Sequence, residues 1–280
     1  MSEQLHYQVR GLPGSVTRTK FAGRTVDYWA PAGGSDRVLL AHDGQNIFDK
    51  KTATRKTTWE LAQRAIAVSA EFGTTPPLVI GVFHSASATD PFGRAKDLAP
   101  QHPFQNGVTP ILGRVGFWQR EQPSFPLEEI RSDSYLELIA NEIIPTIAKA
   151  TGSQPEPLKS AMLGSSMGGL ATLYGVNKYP DIFQSALSFS PHWIIGENPL
   201  VDALVKPLTP GKISRLWMSR GTKGHDKNYE PFQEYADQLA IENGWRSGVD
   251  FIHKVYPRTG HNERSWRSYL SEALRFWLHP

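Results

Sequence analysis

The stretch "SAMLGSSMGGLATLYGV", residues 160–176, decides how this chain is read. A short buried strand enters it, and Leu170, Leu173 and Val176 recur at helical spacing on the way out, so a helix follows that has ended by Pro180. Between them Gly164-Ser165-Ser166-Met167-Gly168 fits G-x-S-x-G, and strand, sharp turn and helix is the setting that a nucleophile elbow demands. Gly164 and Gly168 let strand and helix come close, where a Cβ would clash. The apex residue, Ser166, is forced into a sparsely populated backbone conformation of the kind retained where function exploits it. The helix start also aims its dipole and free N–H groups at the charge that develops in acyl transfer. The plainer reading is a glycine-rich connection in a chain that holds 24 glycines, and the strand-turn-helix context weighs against it.

Outward from this elbow the chain keeps an α/β rhythm. Residues 23–31 read as a strand ended by proline. Arg37–Ala41 is a short apolar run between turn signals, which suits a buried parallel strand. Residues 57–73 read as a helix with Leu61, Ile66 and Ala67 on its apolar side, and 77–85 as another strand. "SDSYLELIANEIIPTIAKATG" (132–152) is a helix capped by Ser132 or Asp133 and kinked at Pro145. Beyond the elbow, 185–190 and 213–219 are central strands. Residues 229–244 form a helix burying Phe232, Ala236 and Leu239, 249–257 a strand, and 263–278 a closing helix with Trp266, Leu270, Ala273 and Trp277 on one side. From Ala86 to Asp133 the rhythm stops, and turn formers and aromatics crowd together. The expectation is one α/β domain over residues 1–280, a three-layer α/β/α sandwich with a mostly parallel sheet, with 86–133 as a loop or lid excursion over the site.

Composition narrows the function. Hydrophobic residues make up 39% and charged ones 20% of the chain, so a packed core is expected and not disorder. There is no cysteine, which removes disulfides, thiolate catalysis and cysteine-ligated metals. The 30 basic and 27 acidic side chains are spread without a block, which argues against nucleic-acid binding. No apolar run is long enough to cross a bilayer and the N-terminus lacks the pattern of a secretory signal, so a cytoplasmic location is the default. No G-x-x-x-x-G-K-[ST], no G-x-G-x-x-G after a first strand and no H-E-x-x-H occur. Neither a cofactor nor a metal is expected.

A serine hydroxyl needs a base, and elbow folds supply Ser, then Asp or Glu, then His along the chain. His261, in "PRTGHNERSW", lies between the last strand and the last helix, where a loop carries an imidazole over the sheet edge. His253 falls inside a strand pattern and His279 at the terminus. Asp226 and Glu230 both follow the strand "LWMS" and both are open as the acid, Asp226 being nearer the strand end. Two backbone N–H groups are expected to form the oxyanion hole, from Met167 and from Gln45, with Gly44 letting the backbone of "HDGQN" approach the substrate. His192 and Trp193, after "SFSP", are pocket candidates. Phe92, Phe104, Phe117 and Trp118 hint at a partly aromatic pocket.

The segments "RVLLAHDGQNIFD" (37–49), "GRAKDLAP" (93–100), "YLELIANEIIPTI" (135–147), "LGSSMGGLATLYGVNKYPDIFQSALSFSP" (163–191) and "GHNERSWRSYL" (260–270) together resemble the putative esterase family. That family belongs to the α/β-hydrolase fold and includes enterochelin esterases, esterase D proteins, feruloyl esterases and mycolyltransferases. The resemblance runs from about Phe21 to the C-terminus. It implies the family's serine at Ser166, its histidine at His261 and its oxyanion loop at Asp43–Asn46. It also implies a loop above the site shaped by Arg94 and Asp97. Relatives often carry a carboxylate where this chain has Gly224, so the acid's role passes to Asp226. The expected activity is hydrolysis of a small-molecule carboxylic ester through an acyl-enzyme, with acyl transfer or an inactive binding module as alternatives. The acyl group and the oligomeric state are not legible.

Overall fold

The computed structural model describes residues 4–110 and 125–279, together with the backbone of a short antiparallel pair, β6 (Trp118–Gln119) and β7 (Gln122–Pro123). A nine-stranded sheet runs through it in the order β1 (Leu5–Tyr7), β2 (Val16–Phe21), β3 (Arg24–Trp29), β5 (Leu78–Val82), β4 (Val38–Ala41), β8 (Ala161–Ser165), β9 (Ser185–Phe189), β10 (Arg215–Lys223), β11 (Phe251–Gly260). The first three strands join antiparallel, and everything from β5 to β11 is parallel.

Alternation along the inner strands sorts their side chains into two cores. Val38, Leu40, Met162, Ala186 and Met218 join one core, while Leu39, Ala41, Leu163, Leu187 and Trp217 join the other. The first core is covered by α2 (Gly93–Leu98), α4 (Ser132–Leu138), α5 (Ile144–Thr151), α6 (Met167–Lys178), α7 (Glu197–Val205) and α8 (Glu230–Glu242); the second is covered by α1 (Leu61–Glu71) and α9 (Glu263–Leu278). The result is a three-layer α/β/α sandwich of the α/β-hydrolase type. Because β4, β5, β8 and β9 are buried on both faces, they read as continuous apolar runs. Among the described residues no helix is long and apolar enough to cross a membrane.

Several sequence expectations shift. The sequence reading places no strand before Gly23, yet β1 and β2 form there, because the "VTRTKF" of β2 buries Val16, Thr17 and Thr19, so that threonines take buried places an apolar count misses. Helix α1 buries Leu61, Ala62, Ala65 and Val68 while Ala67 is exposed, so its apolar stripe is turned from the expected one. Ser132 and Asp133 do not cap α4: Ser132 Oγ accepts the Gln101 N–H, and Asp133 takes the Tyr174 hydroxyl. Ahead of Pro145 a π turn, Ile139–Ile143, joins α4 to α5, absorbing the residue that cannot donate a hydrogen bond. In α8 Phe232 is only half-buried, and Gln233 takes the inward place. Within 86–133, α2 and α3 (Gln101–Gln105) fold against the first core through Leu98, Ala99 and Phe104, so this stretch carries regular structure where the sequence shows only turn formers.

The chain turns away from β4 in two directions, to β5 on one side and to β8, β9, β10 and β11 on the other. Such a reversal opens a crevice at the carboxyl ends of the strands, where ligands bind in open α/β sheets. The loops leaving β4 and β8 meet there, and the His42 N–H, donating to the Leu163 carbonyl of β8 at 2.9 Å, carries the pairing of the two strands up to that edge.

Candidate active site

Ser166 occupies the turn between β8 and α6 with φ 57° and ψ −120°, a conformation that non-glycine residues rarely adopt. Its N–H donates to the Phe189 carbonyl at 2.9 Å, and its own carbonyl accepts from Gly169, Leu170 and His192. Those bonds hold the apex in place. Close packing of strand and helix requires Gly164, where a Cβ would stand 2.3 Å from the Gly168 carbonyl oxygen, whereas a Cβ on Gly168 would meet His42 Cβ at 3.2 Å and Asp43 Oδ2 at 3.4 Å, in the loop after β4. Helix α6 is buried from Met167 through Val176, so its N-terminal dipole acts in a medium of low dielectric. As the first helical residue, Met167 has a main-chain N–H with no partner inside the helix.

Asp226 sits in the 3-10 turn Gly224–Tyr229 after β10 and is fully buried. Its Oδ1 lies 2.6 Å from His261 Nδ1. Its Oδ2 accepts from Ser190 Oγ at 2.9 Å and from the Gly221 N–H at 2.8 Å. Gly221 has no room for a side chain, since a Cβ would come within 2.7 Å of Asp226 Oδ2 and 2.5 Å of the Thr259 carbonyl oxygen. Glu230 points elsewhere: it pairs with Arg220 at 2.5 Å and is 53% exposed. His261 follows directly on β11, with its ring edge-on to Trp266 at 4.9 Å between centroids. The Trp266 indole N–H donates to Ser190 Oγ at 3.0 Å, completing a chain from α9 to the carboxylate.

The loop after β4 turns sharply at Asp43, φ 54°, into a 3-10 turn over Gly44–Asn46. The sequence reading has Gly44 admitting the substrate; the structure gives it another purpose. A Cβ there would lie 2.3 Å from the Gly81 carbonyl carbon, so Gly44 lets the turn rest on β5. Gly44→Ala is expected to cost about 1–3 kcal/mol of stability by overpacking, read as a lowered urea midpoint at unchanged m-value.

Arg94 reaches Asp43 with a two-pronged contact, Nε to Oδ1 at 2.7 Å and Nη2 to Oδ2 at 2.6 Å. Burial pushes the Asp43 carboxyl up, but the charge and hydrogen bonds of Arg94 outweigh it and hold the group below the usual carboxylate value. A carboxylate depressed on folding adds stability above its unfolded pKa, and that stability is lost as pH falls through the folded value. Arg94→Met leaves a buried, unpaired carboxylate. It is therefore expected to destabilise the protein by about 1–3 kcal/mol at pH 7, with the deficit shrinking as pH falls toward and through ~4, because without Arg94 burial makes Asp43 take up its proton more readily. Urea unfolding of both proteins at pH 7 and pH 3.5 checks it, and an equal deficit at the two values would refute the charge argument. Asp97 is anchored by Arg24 at 2.7 Å, by Arg131 at 3.0 Å and by Ser85, so it ties α2 to β3 and to the start of α4.

Ser166 and His261 open into one cavity of about 310 Å³, shared with Gln45, His84, Arg94 and Glu263. Asp43 and Trp266 also line it. The Ser166 hydroxyl is among the groups that act on the Tyr229 phenol, whose hydrogen bond is made to His192 Nδ1. Three histidines near the elbow are kept uncharged by burial: His42, lowered to about 4, His84, and His192, lowered well below the ordinary value. Trp193 does not reach the cavity; it is fully buried in the first core, where its indole donates to Gln233. Phe104 is core as well, which leaves Trp266 as the aromatic that the described lining supplies besides histidine. The side chains of Phe117 and Trp118 lie outside the described residues. His84, Ser190, Gly221, Tyr229 and Glu263 are site residues that sequence reasoning passes over. Only Tyr229 carries a local signal, falling three residues after Asp226 on a 3-10 turn, where i and i+3 share a face.

A family model described as "Putative esterase" matches residues 115–277, more than half of the chain. The chain belongs to the putative esterase family. A stretch of 95 residues of this esterase-family chain is 35% identical to an uncharacterized protein, YbbA, of Bacillus subtilis, over 33% of this chain and 37% of that one. Among solved structures it is similar to the enterobactin esterase of Shigella flexneri, with a TM-score of 0.62 at 13% identity, over 100% of this chain and 60% of that one. The BES protein of Bacillus cereus is similar with a TM-score of 0.59 at 18% identity, over 99% of this chain and 94% of that one. At these identities the structural likeness shows the fold. The chain spans about 60% of the length of the Shigella enzyme, and its match covers 37% of the Bacillus subtilis protein.

Proposed function

We propose that this esterase-family chain is a serine carboxylic-ester hydrolase working through Ser166, His261 and Asp226. The observation that carries the reading is the 2.6 Å contact of His261 with the buried Asp226, in a cavity that also holds Ser166 on its strained turn. Asp226 accepts the Nδ1 proton of His261 and so leaves Nε2 free to act as a base. His261 takes the Ser166 proton as Oγ bonds to the ester carbonyl carbon, and the N–H groups of Met167 and Gln45 stabilise the resulting oxyanion. His261 then returns the proton to the departing alcohol, and a water activated by the same ring hydrolyses the acyl-enzyme. Apart from the ester and the water, each step uses groups of the chain itself. Helix α2 serves as a wall of the site, through Arg94 and its clasp on Asp43. The lining is mostly polar, which supports a small polar ester as substrate.

The test does not depend on guessing the substrate. Incubation with a fluorophosphonate should add one phosphonyl group, the mass of the reagent less the HF expelled, to the intact protein, and Ser166→Ala should add none. A folded wild-type protein that takes no label, or a variant that still takes it, would overturn the assignment; a panel of acyl esters then defines the acyl group.

A further inference from the structure

Tyr229 has no place in the three-residue scheme, yet it occupies a fully buried position against the nucleophile. The 3-10 turn that carries Asp226 also carries Tyr229, one turn later on the same face. Its ring stands edge-on to His261 at 5.4 Å and edge-on to His192 at 5.5 Å. The phenol is hydrogen-bonded to His192 Nδ1, and the Ser166 hydroxyl is among the groups that act on it. The circuit closes through the backbone, because the His192 N–H donates to the Ser166 carbonyl at 3.2 Å. His192 is thus fixed to the elbow by its main chain and to Tyr229 by its ring, so the phenol cannot drift relative to the serine.

We propose that Tyr229 is a further catalytic residue, a hydrogen-bond donor to the Ser166 oxygen, with His192 as the residue that positions it. This rests on Ser166 being the nucleophile. The phenol and His192 are both kept neutral, chiefly by burial. A neutral His192 carrying its proton on Nδ1 donates to the phenol oxygen, which turns the phenol O–H toward Ser166 Oγ. As the serine proton passes to His261 Nε2 and the Oγ–carbon bond forms, the serine oxygen carries transient negative charge, and the Tyr229 O–H donates to it without giving up its proton. The same bond operates in reverse when water hydrolyses the acyl-enzyme: the carbon–Oγ bond breaks, His261 returns a proton to Oγ, and the phenol stabilises the departing oxygen. Donors aimed at developing charge act on the transition state more than on bound substrate, so their loss appears in kcat and not in KM.

The experiment compares wild type, Tyr229→Phe, His192→Gln and the double variant, reading the rate of fluorophosphonate labelling, kcat and KM on p-nitrophenyl acetate, and the unfolding midpoint. Tyr229→Phe is expected to slow labelling and lower kcat by about 10- to 100-fold with KM little changed. His192→Gln is expected to lower kcat by a smaller factor, and the double variant to fall no further than Tyr229→Phe, because His192 acts through the phenol. Wild-type kcat in a folded Tyr229→Phe, or a loss that appears in KM alone, would overturn the proposal. So would losses in the two single variants that simply multiply. If Tyr229→Phe does not fold, His192→Gln decides alone, and an unchanged labelling rate there overturns it. A wild-type protein that fails to label at Ser166 overturns the esterase reading itself, an outcome distinct from any of these.

Discussion

Replacing Ser166 by alanine is expected to abolish labelling and to lower kcat for ester hydrolysis by about 10⁴-fold or more, the scale seen when a serine nucleophile is removed from a triad. The apex is held at φ 57° and ψ −120° by main-chain contacts that do not involve the Ser166 hydroxyl. The backbone bonds that hold the turn, from the Ser166 N–H to Phe189 and from Gly169, Leu170 and His192 to the Ser166 carbonyl, survive the change. The variant should therefore unfold at nearly the wild-type urea concentration, which separates a chemical loss from a structural one. Any remaining rate comes from the oxyanion donors and from binding. Unaltered kcat in a folded Ser166→Ala protein would place the nucleophile elsewhere.

Asp226→Asn is expected to lower kcat by about 10⁴-fold while Glu230→Gln leaves it within about twofold, because Asp226 and not Glu230 meets His261. The asymmetry follows from what surrounds the two carboxylates. Oδ2 of Asp226 already accepts from Ser190 Oγ and the Gly221 N–H, so an amide there keeps its oxygen on that side. Its NH₂ is then turned toward His261 Nδ1, which must accept instead of donate. The ring proton moves to Nε2, and the base faces Ser166 with its proton already in place. Glu230 pairs with the buried Arg220 and is itself half exposed, away from His261. A parallel measurement of kcat for both variants decides it, and a deep loss in Glu230→Gln would reverse the assignment.

Much of the elbow was legible because it is local. Gly164, Ser166 and Gly168 are close in sequence, and the clash of a Gly164 Cβ with Gly168 is set by that spacing. The parallel strands were legible because burial on both faces leaves an apolar run between turn signals. Caps and turns were less so. Ser132 and Asp133 have the chemistry of caps, but Gln101 and Tyr174, distant in sequence, take their side chains. The Pro145 kink became a π turn, since the chain could absorb a residue at lower cost than breaking the helix. Trp193 has the look of a pocket aromatic, and nothing local shows that Gln233 waits in the core for its N–H.

By itself the sequence determined the α/β architecture, the place of the elbow and the short set of groups able to work beside it, because periodicity, turn chemistry and chain order are written in near neighbours. Only the tertiary structure set His261 against Asp226 and Glu230 against Arg220, gave Gly44 its purpose against Gly81, and joined Tyr229 to His192 beside the elbow. Those choices depend on which distant side chains share a buried space. In such a space a hydrogen bond or a 2.3 Å clash decides the outcome, and spacing along the chain carries no record of it.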